Sequence, residues 1–391
     1  MHRKAGTWVV RVALVVLFLS VPGVAGAATL TVGQKTAACP KASYPTIQSA
    51  VNAAAGGDTI HICAGTYSEQ VLIAKSLTVN GDNGAVISPL NVSANTTSLS
   101  SGQAIAAIVL VQGTTGVTIE NVIVDGSGNG SSACSPDLIG VFYRNASGEL
   151  NHVAVRRVEL GPDFSGCQSG SAVFVQSGGG TSSVTIQNSS IDDYQKNGIT
   201  ANEAGTQVTI SGNVVTGKGT AAGTAQNGIQ IGFGASGTIH ANTVADHVYS
   251  LCIDLTGCPA KAVDILVYQS DGVTVDHNTA GVSQTGIAVV ANSANVLDNT
   301  IYDSLVFDGV LLEGKSNSAA GNHITHSDQA AVLISGNGNT VEQNVINDAA
   351  VGVLTISGSI GNTIASNTYY NTPVQTQDPS ARAVRRSLPY R

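Results

Sequence analysis

The chain has 391 residues, with 25 Asp and Glu against 17 Lys and Arg, 45 glycines and only 4% aromatic residues. Over residues 28–372 the balance is 24 acidic against 10 basic side chains, which argues against nucleic acid or an anionic membrane as partner, since both need a positive surface. With only 11% charged residues and prominent Val, Ile, Thr and Asn, the composition points to one elongated all-β solenoid rather than several globular domains.

At the start, His2, Arg3, Lys4 and Arg11 accompany an apolar run from Val12 to Val21, and Ala25-Gly26-Ala27 follows. A basic start, a short apolar run and small residues describe a signal peptide over residues 1–27, too short in its apolar part to span a bilayer. No other stretch is long and apolar enough to cross. The mature chain is therefore expected outside the cytoplasm, secreted or periplasmic, as a monomer without a membrane span.

Residues 28–80 read as a cap and first coil. "PTIQSAVNAAA" from Pro45 to Ala55 spaces Ile47, Val51 and Ala54 along one helical face, with Pro at the start and Gly56-Gly57 as the stop. A solenoid needs such a cap because its first coil otherwise exposes open strand edges. Cys39 and Cys63 flank the helix and are expected to pin it to the first coil. The six cysteines allow fifteen pairings, and an even number in an exported chain favours disulfides over a metal site.

From residue 81 to 372 the sequence repeats. Asparagines recur at Asn213, Asn242, Asn278, Asn299, Asn322, Asn344 and Asn367, the last four steps being 21, 23, 22 and 23 residues. Asn121 and Asn188 precede them in the same role, with Arg157 between. Three short strands and three turns need roughly twenty-odd residues per coil at about 3.3 Å per strand residue, which matches. The period predicts a three-sided right-handed parallel β-helix of about ten coils. Asn tolerates the left-handed corner, and stacked amides can bond along the axis. A second phrase sets Ile199, Ile229, Ile265, Ile287, Val310, Val332 and Val353 as one inward row.

Longer steps mark four insertions, at 125–137, 161–170, 217–226 and 246–261, all expected to leave the same corner. Cys134 and Cys167 lie in the first two, and Cys252 and Cys258 close a small loop in the last, so these are expected as the remaining disulfides. The tail, 373–391, lacks strand periodicity, contains Pro379 and Pro389, carries the basic cluster Arg382, Arg385 and Arg386, and reads as flexible.

The stretch Pro45–Gly81, "PTIQSAVNAAAGGDTIHICAGTYSEQVLIAKSLTVNG", resembles the N-terminal opening of the pectin lyase-like superfamily. The resemblance implies the β-helix fold and a carbohydrate groove over one strand face beside the inserted loops. The catalytic motifs of pectin methylesterases, polygalacturonases and alginate epimerases are missing, so a standard pectin methylesterase is not expected.

That groove selects outward positions of the inserted coils. Tyr194, Asn202, Gln230, Tyr268 and Arg144 are the expected substrate contacts, with Gln176, Glu203 and His247 nearby. A lyase would use Lys196 as base with Ca²⁺ on Asp192 and Asp193 to neutralise a uronate. A hydrolase would pair Asp193 with Asp264, about two coils apart and within the roughly 5–10 Å that two catalytic carboxylates require. The sequence thus supports a polysaccharide-binding and polysaccharide-processing protein, acting on uronic-acid or cell-wall glycans. The alternative is a non-catalytic surface or matrix protein that holds glycans.

Overall fold

The structure, a computed structural model, describes residues 1, 2, 6, 26–252, 254, 258 and 260–377. The expected signal peptide, apart from a few residues, and residues 378–391 of the expected tail lie outside them, while the tail's first part, expected to be flexible from 373, instead forms the strand Val374–Gln377 on the third sheet. Three parallel sheets of 13, 12 and 13 strands form the three sides of a right-handed β-helix. The first sheet runs from Thr29–Val32 to Thr363–Ala365, the second from Gly65–Tyr67 to Thr368–Tyr370, and the third from Val71–Ile73 to Val374–Gln377. There are more coils than the ten expected, because the N-terminal coils carry no stacked asparagine by which to count them.

The helix Ile47–Ala53 closes the N-terminal end and buries Ile47, Ala50 and Val51. The Thr46 side chain accepts from Ser49 N, and the Glu69 carboxylate accepts from Ile47 N and Gln48 N at 2.8 and 2.9 Å. The first-turn donors are thus satisfied by a glutamate from the "GTYSE" phrase. The disulfide Cys39–Cys63 ties the preceding loop to the first coil.

Inside, Ile199, Ile229, Ile265, Ile287, Val310, Val332 and Val353 are register partners and fully buried, as the repeat predicts. The asparagines also stack. Asn242 Oδ1 accepts from both N and Nδ2 of Asn213 at 2.9 Å, and the pattern continues through Asn278, Asn299, Asn322, Asn344 and Asn367. The ladder satisfies backbone donors that a buried corner would otherwise orphan.

The corner itself differs from expectation by one residue. The left-handed position belongs to the residue before each stacked asparagine: Gly212, Ala241, His277, Asp298, Gly321, Gln343 and Ser366 all have φ between 52 and 68°. Asn121 and Asn188 occupy this left-handed position rather than the ladder, and His152 (φ 53°) lies between them. Arg157 turns the next corner, after the second-sheet strand Ala154–Arg156. A second, shorter ladder of Asn317, Asn339 and Asn362 supports the corner between the third and first sheets.

All four insertions emerge between the second and third sheets, braced by Cys134–Cys167 and Cys252–Cys258. A fifth, at residues 88–103, leaves the same corner and folds over the third sheet. Its Thr96–Thr97 pairs antiparallel with Ala104 and Ile105.

Candidate functional site

The third sheet is the side next to the inserted loops. Along its outer face Leu110, Phe142, Phe174, Thr200, Gln230, Leu266, Ala288, Leu311, Leu333 and Leu354 form one register row. Between Leu110 and Leu354 the row is polar only at Thr200 and Gln230, and Gln377 follows Leu354 at its C-terminal end. The 88–103 insertion covers the N-terminal apolar stretch. Arg144 Nε donates to Thr97 O at 2.8 Å, and Gln176 Oε1 accepts from Leu99 N at 2.8 Å. Arg144 and Gln176 therefore hold this loop, and Gln176 also bonds to Glu203.

Around the polar centre the side chains are tied in place. Asn197 Nδ2 donates to Thr200 Oγ1 (3.0 Å), Asn227 Nδ2 donates to Gln230 Oε1 (3.2 Å), and Gln230 Nε2 donates to Asn202 Oδ1 (3.1 Å). Gly232 is the register partner of Asn202 and Tyr268, and a Cβ there would lie 2.9 Å from Asn202 Oδ1. The glycine thus leaves a notch above the amide pair. Phe233 follows it with φ 57°, 50% exposed, its ring 5.3 Å from Tyr268 in an edge-on pair. A bulky residue rarely adopts positive φ, and this conformation holds a large apolar ring at the surface beside polar amides. A shallow depression of about 660 Å³ continues from there, lined by Gln269, Asp271, Asn292 and Glu313. Glu313 Oε2 is buried without a hydrogen-bond partner among the described residues, and burial raises the carboxyl pKa, opposed by Lys261.

Asn202, Gln230 and Tyr268 thus sit together on this face, but the expected catalytic groups do not join them. Tyr194 and Asp264 point into the core and have no exposure. The Tyr194 hydroxyl bonds His247 Nε2, and His247 Nδ1 lies 2.6 Å from Asp264 Oδ1. Burial pushes His247 down to about 3 and raises Asp264 and Tyr194 well above their ordinary values. The result is a hydrogen-bonded acid–imidazole–phenol chain sealed from solvent, so Asp264 cannot face Asp193 across a sugar bond. Sequence spacing placed it on an outward position. A local irregularity at the strand start turns residue 264 inward, where the register partners of this position include Gly228 and Gly286.

Lys196 is almost fully buried, donates to Ala225 O at 2.6 Å and has its pKa lowered to about 8 by burial. Asp192 pairs in register with Arg156 on the second sheet. Its pKa is raised by burial and by Asp193, and lowered by Arg156 and Arg157. Arg156 and Arg157 also bind Asp125. The two guanidinium groups lower the Asp192 carboxyl pKa through their charge, while their hydrogen bonds go to Asp125.

Phe233, Asp271 and Glu313 escaped the sequence reading. Phe233 directly follows the "NGIQIG" strand phrase, and one of only six phenylalanines placed there was a signal available without the structure.

Family models match two overlapping parts of the chain. Residues 171–303 match the right handed beta helix region, and residues 253–383 match periplasmic copper-binding protein (NosD). No curated protein matches the chain. Among solved structures, the GH136 lacto-N-biosidase from Eubacterium ramulus superposes with a TM-score of 0.60 at 12% identity, covering 88% of this chain and 68% of its own. The Dettilon tailspike protein gives 0.58 at 12%, covering 83% and 64%. DFA-IIIase from Arthrobacter chlorophenolicus A6 without its lid gives 0.50 at 14%, covering 89% and 92%. Likeness at this identity establishes the fold and nothing finer.

Proposed function

We propose that this pectin lyase-like right-handed β-helix protein binds a linear, uncharged polysaccharide along the outer face of its third sheet. The ligand would pass over Asn202 and Gln230, stack on Phe233 and Tyr268, and run into the depression at Asp271 and Glu313. The observation that carries the reading is Phe233, held at positive φ with half its surface exposed beside an ordered amide pair. Sugars present an apolar face to an aromatic ring and hydroxyls to amides, and this surface offers both. The likeness to a GH136 lacto-N-biosidase supports a carbohydrate partner. Glu203, Asp271 and Glu313 around the path, on a chain of net charge −8, argue against the uronic acids expected from sequence. Three disulfides favour an oxidising compartment, extracellular or periplasmic.

Glu313 supports a second reading, hydrolysis. A half-buried carboxyl with one orphaned oxygen and raised pKa, in the same depression as a second carboxylate, Asp271, has the character of a general acid. The test is affinity for neutral glucans, galactans and xylan against pectate and alginate, with new reducing ends followed in parallel. Binding to a neutral glycan that weakens about tenfold in Phe233→Ala, the scale of one aromatic contact, supports the proposal. Preference for uronates, or binding unchanged in that variant, overturns it. Reducing ends that disappear in Glu313→Gln would establish hydrolysis at the same face.

A further inference from the structure

We propose that His240, Asp276 and His277 form a surface site for a divalent first-row transition-metal ion of the Cu²⁺ or Zn²⁺ type, at the edge of the first sheet and apart from the glycan face on the third. His240 ends the first-sheet strand Ser236–His240, and Asp276 ends Thr274–Asp276 on the next coil. They are register partners, so their side chains stack on one outer face at about the 4.8 Å spacing of neighbouring strands. His277 is the next residue, at the left-handed corner with φ 55°. The preceding and following register partners are Ser211 and Leu297, so this set of donors occurs on these two coils alone within that row.

The three side chains converge on one point. Asp276 Oδ2 lies 2.8 Å from His240 Nδ1 and 2.9 Å from His277 Nδ1, and the imidazole centroids are 5.4 Å apart. One donor atom from each residue falls within 4.8 Å of the others. An ion at about 2.0–2.2 Å from each ligand needs donors roughly 3–4 Å apart, within reach of small rotations of two half-exposed rings. Both Nδ1 atoms thus lie within hydrogen-bonding distance of the same carboxylate oxygen. A bound ion would take one lone pair from each ring together with the carboxylate oxygen, any proton on a ligating nitrogen passing to the other ring nitrogen or to solvent. Two imidazoles and one carboxylate suit Cu²⁺ and Zn²⁺ over Ca²⁺ or Mg²⁺, and water completes the coordination at this open site. The other grouping of this kind among the described residues, His61, Cys63 and Asp82, lacks a thiolate because Cys63 is in the disulfide with Cys39.

The experiment is calorimetric titration of the purified, untagged chain with Cu²⁺ and with Zn²⁺ near pH 7.5, Ca²⁺ serving as comparator. The expected result is one equivalent bound with Kd in the micromolar range or tighter, about 8 kcal/mol or more. Electron paramagnetic resonance of the Cu²⁺ form should show coupling to two imidazole nitrogens. The exposed substitutions His240→Gln and His277→Asn together should remove this equivalent while leaving the circular dichroism spectrum and glycan binding unchanged. No bound equivalent, or one that survives the double variant, overturns the proposal.

Discussion

Asp264 Oδ1 lies 2.6 Å from His247 Nδ1, with both side chains wholly buried, at an inward position where the adjacent coils carry Gly228 and Gly286. Downstream coils fill the same corner with small groups: Gly286 faces Ser304, and Gly309 faces Ser327. The coils from Tyr194 to Asp264 instead fill it with a phenol, an imidazole and a carboxyl. This pattern makes the polar chain a substitute for ordinary small-residue packing rather than a surface site that has closed over.

Because burial favours the uncharged forms of both Asp264 and His247, Asp264→Asn should be tolerated, since an amide can still donate to His247 Nδ1. Asp264→Ala leaves His247 buried without that partner and should cost about 2–3 kcal/mol, read as a lower urea midpoint. Equal losses in the two variants would show that Asp264 is ionised in the fold.

The same corner requires glycine at residue 228. A Cβ there would meet Val244 Cγ1, Asp264 O at 2.6 Å and His247 Cε1 at 2.8 Å. Gly228→Ala should therefore destabilise by about 1–3 kcal/mol through overpacking. Gly223→Ala, in the neighbouring insertion with nothing within 4 Å of the new methyl, should leave the thermal midpoint unchanged. A silent Gly228→Ala would mean that the Tyr194–His247–Asp264 corner is looser than this packing.

Asp308 supplies a pH dependence with a defined sign. Burial raises its pKa from 3.8 to about 7, partly offset by Lys261, whose ammonium lies 4.3 Å from the Phe307 ring centre. Between about pH 4 and 7 the unfolded chain releases a proton that the folded chain keeps, so this group lowers stability as pH rises through that window. Asp308→Asn should consequently raise the urea midpoint at pH 8 and change it little at pH 4. A gain confined to pH 4 would reverse the assignment.

Much of the fold was legible because a solenoid repeats one local solution. The row Ile199–Ile229–Ile265–Ile287 and the asparagines from Asn213 to Asn367 follow from a period that any coil of three strands must obey. Counting by Asn failed where the ladder is absent, which is why Arg157 was assigned to the corner that His152 occupies. The loop-to-loop pairing of Cys134 with Cys167 was also legible, since both insertions leave one corner of adjacent coils. Asp264 was misplaced because alternation, read from Ile265, does not reveal a strand start at which two successive residues turn inward.

By itself, the sequence determined the solenoid, its inward rows, its loop-bearing corner and its disulfides, because each depends on spacing along the chain. Only the tertiary structure decided which polar residues meet. His240 and Asp276 are 36 residues apart and meet because coils of unequal length are brought into register, whereas His247 and Asp264 are 17 apart and meet across the corner between the second and third sheets. Whether a side chain then faces solvent or core depends on the local twist at a corner, a property of the stacked backbone that the order of residues does not display.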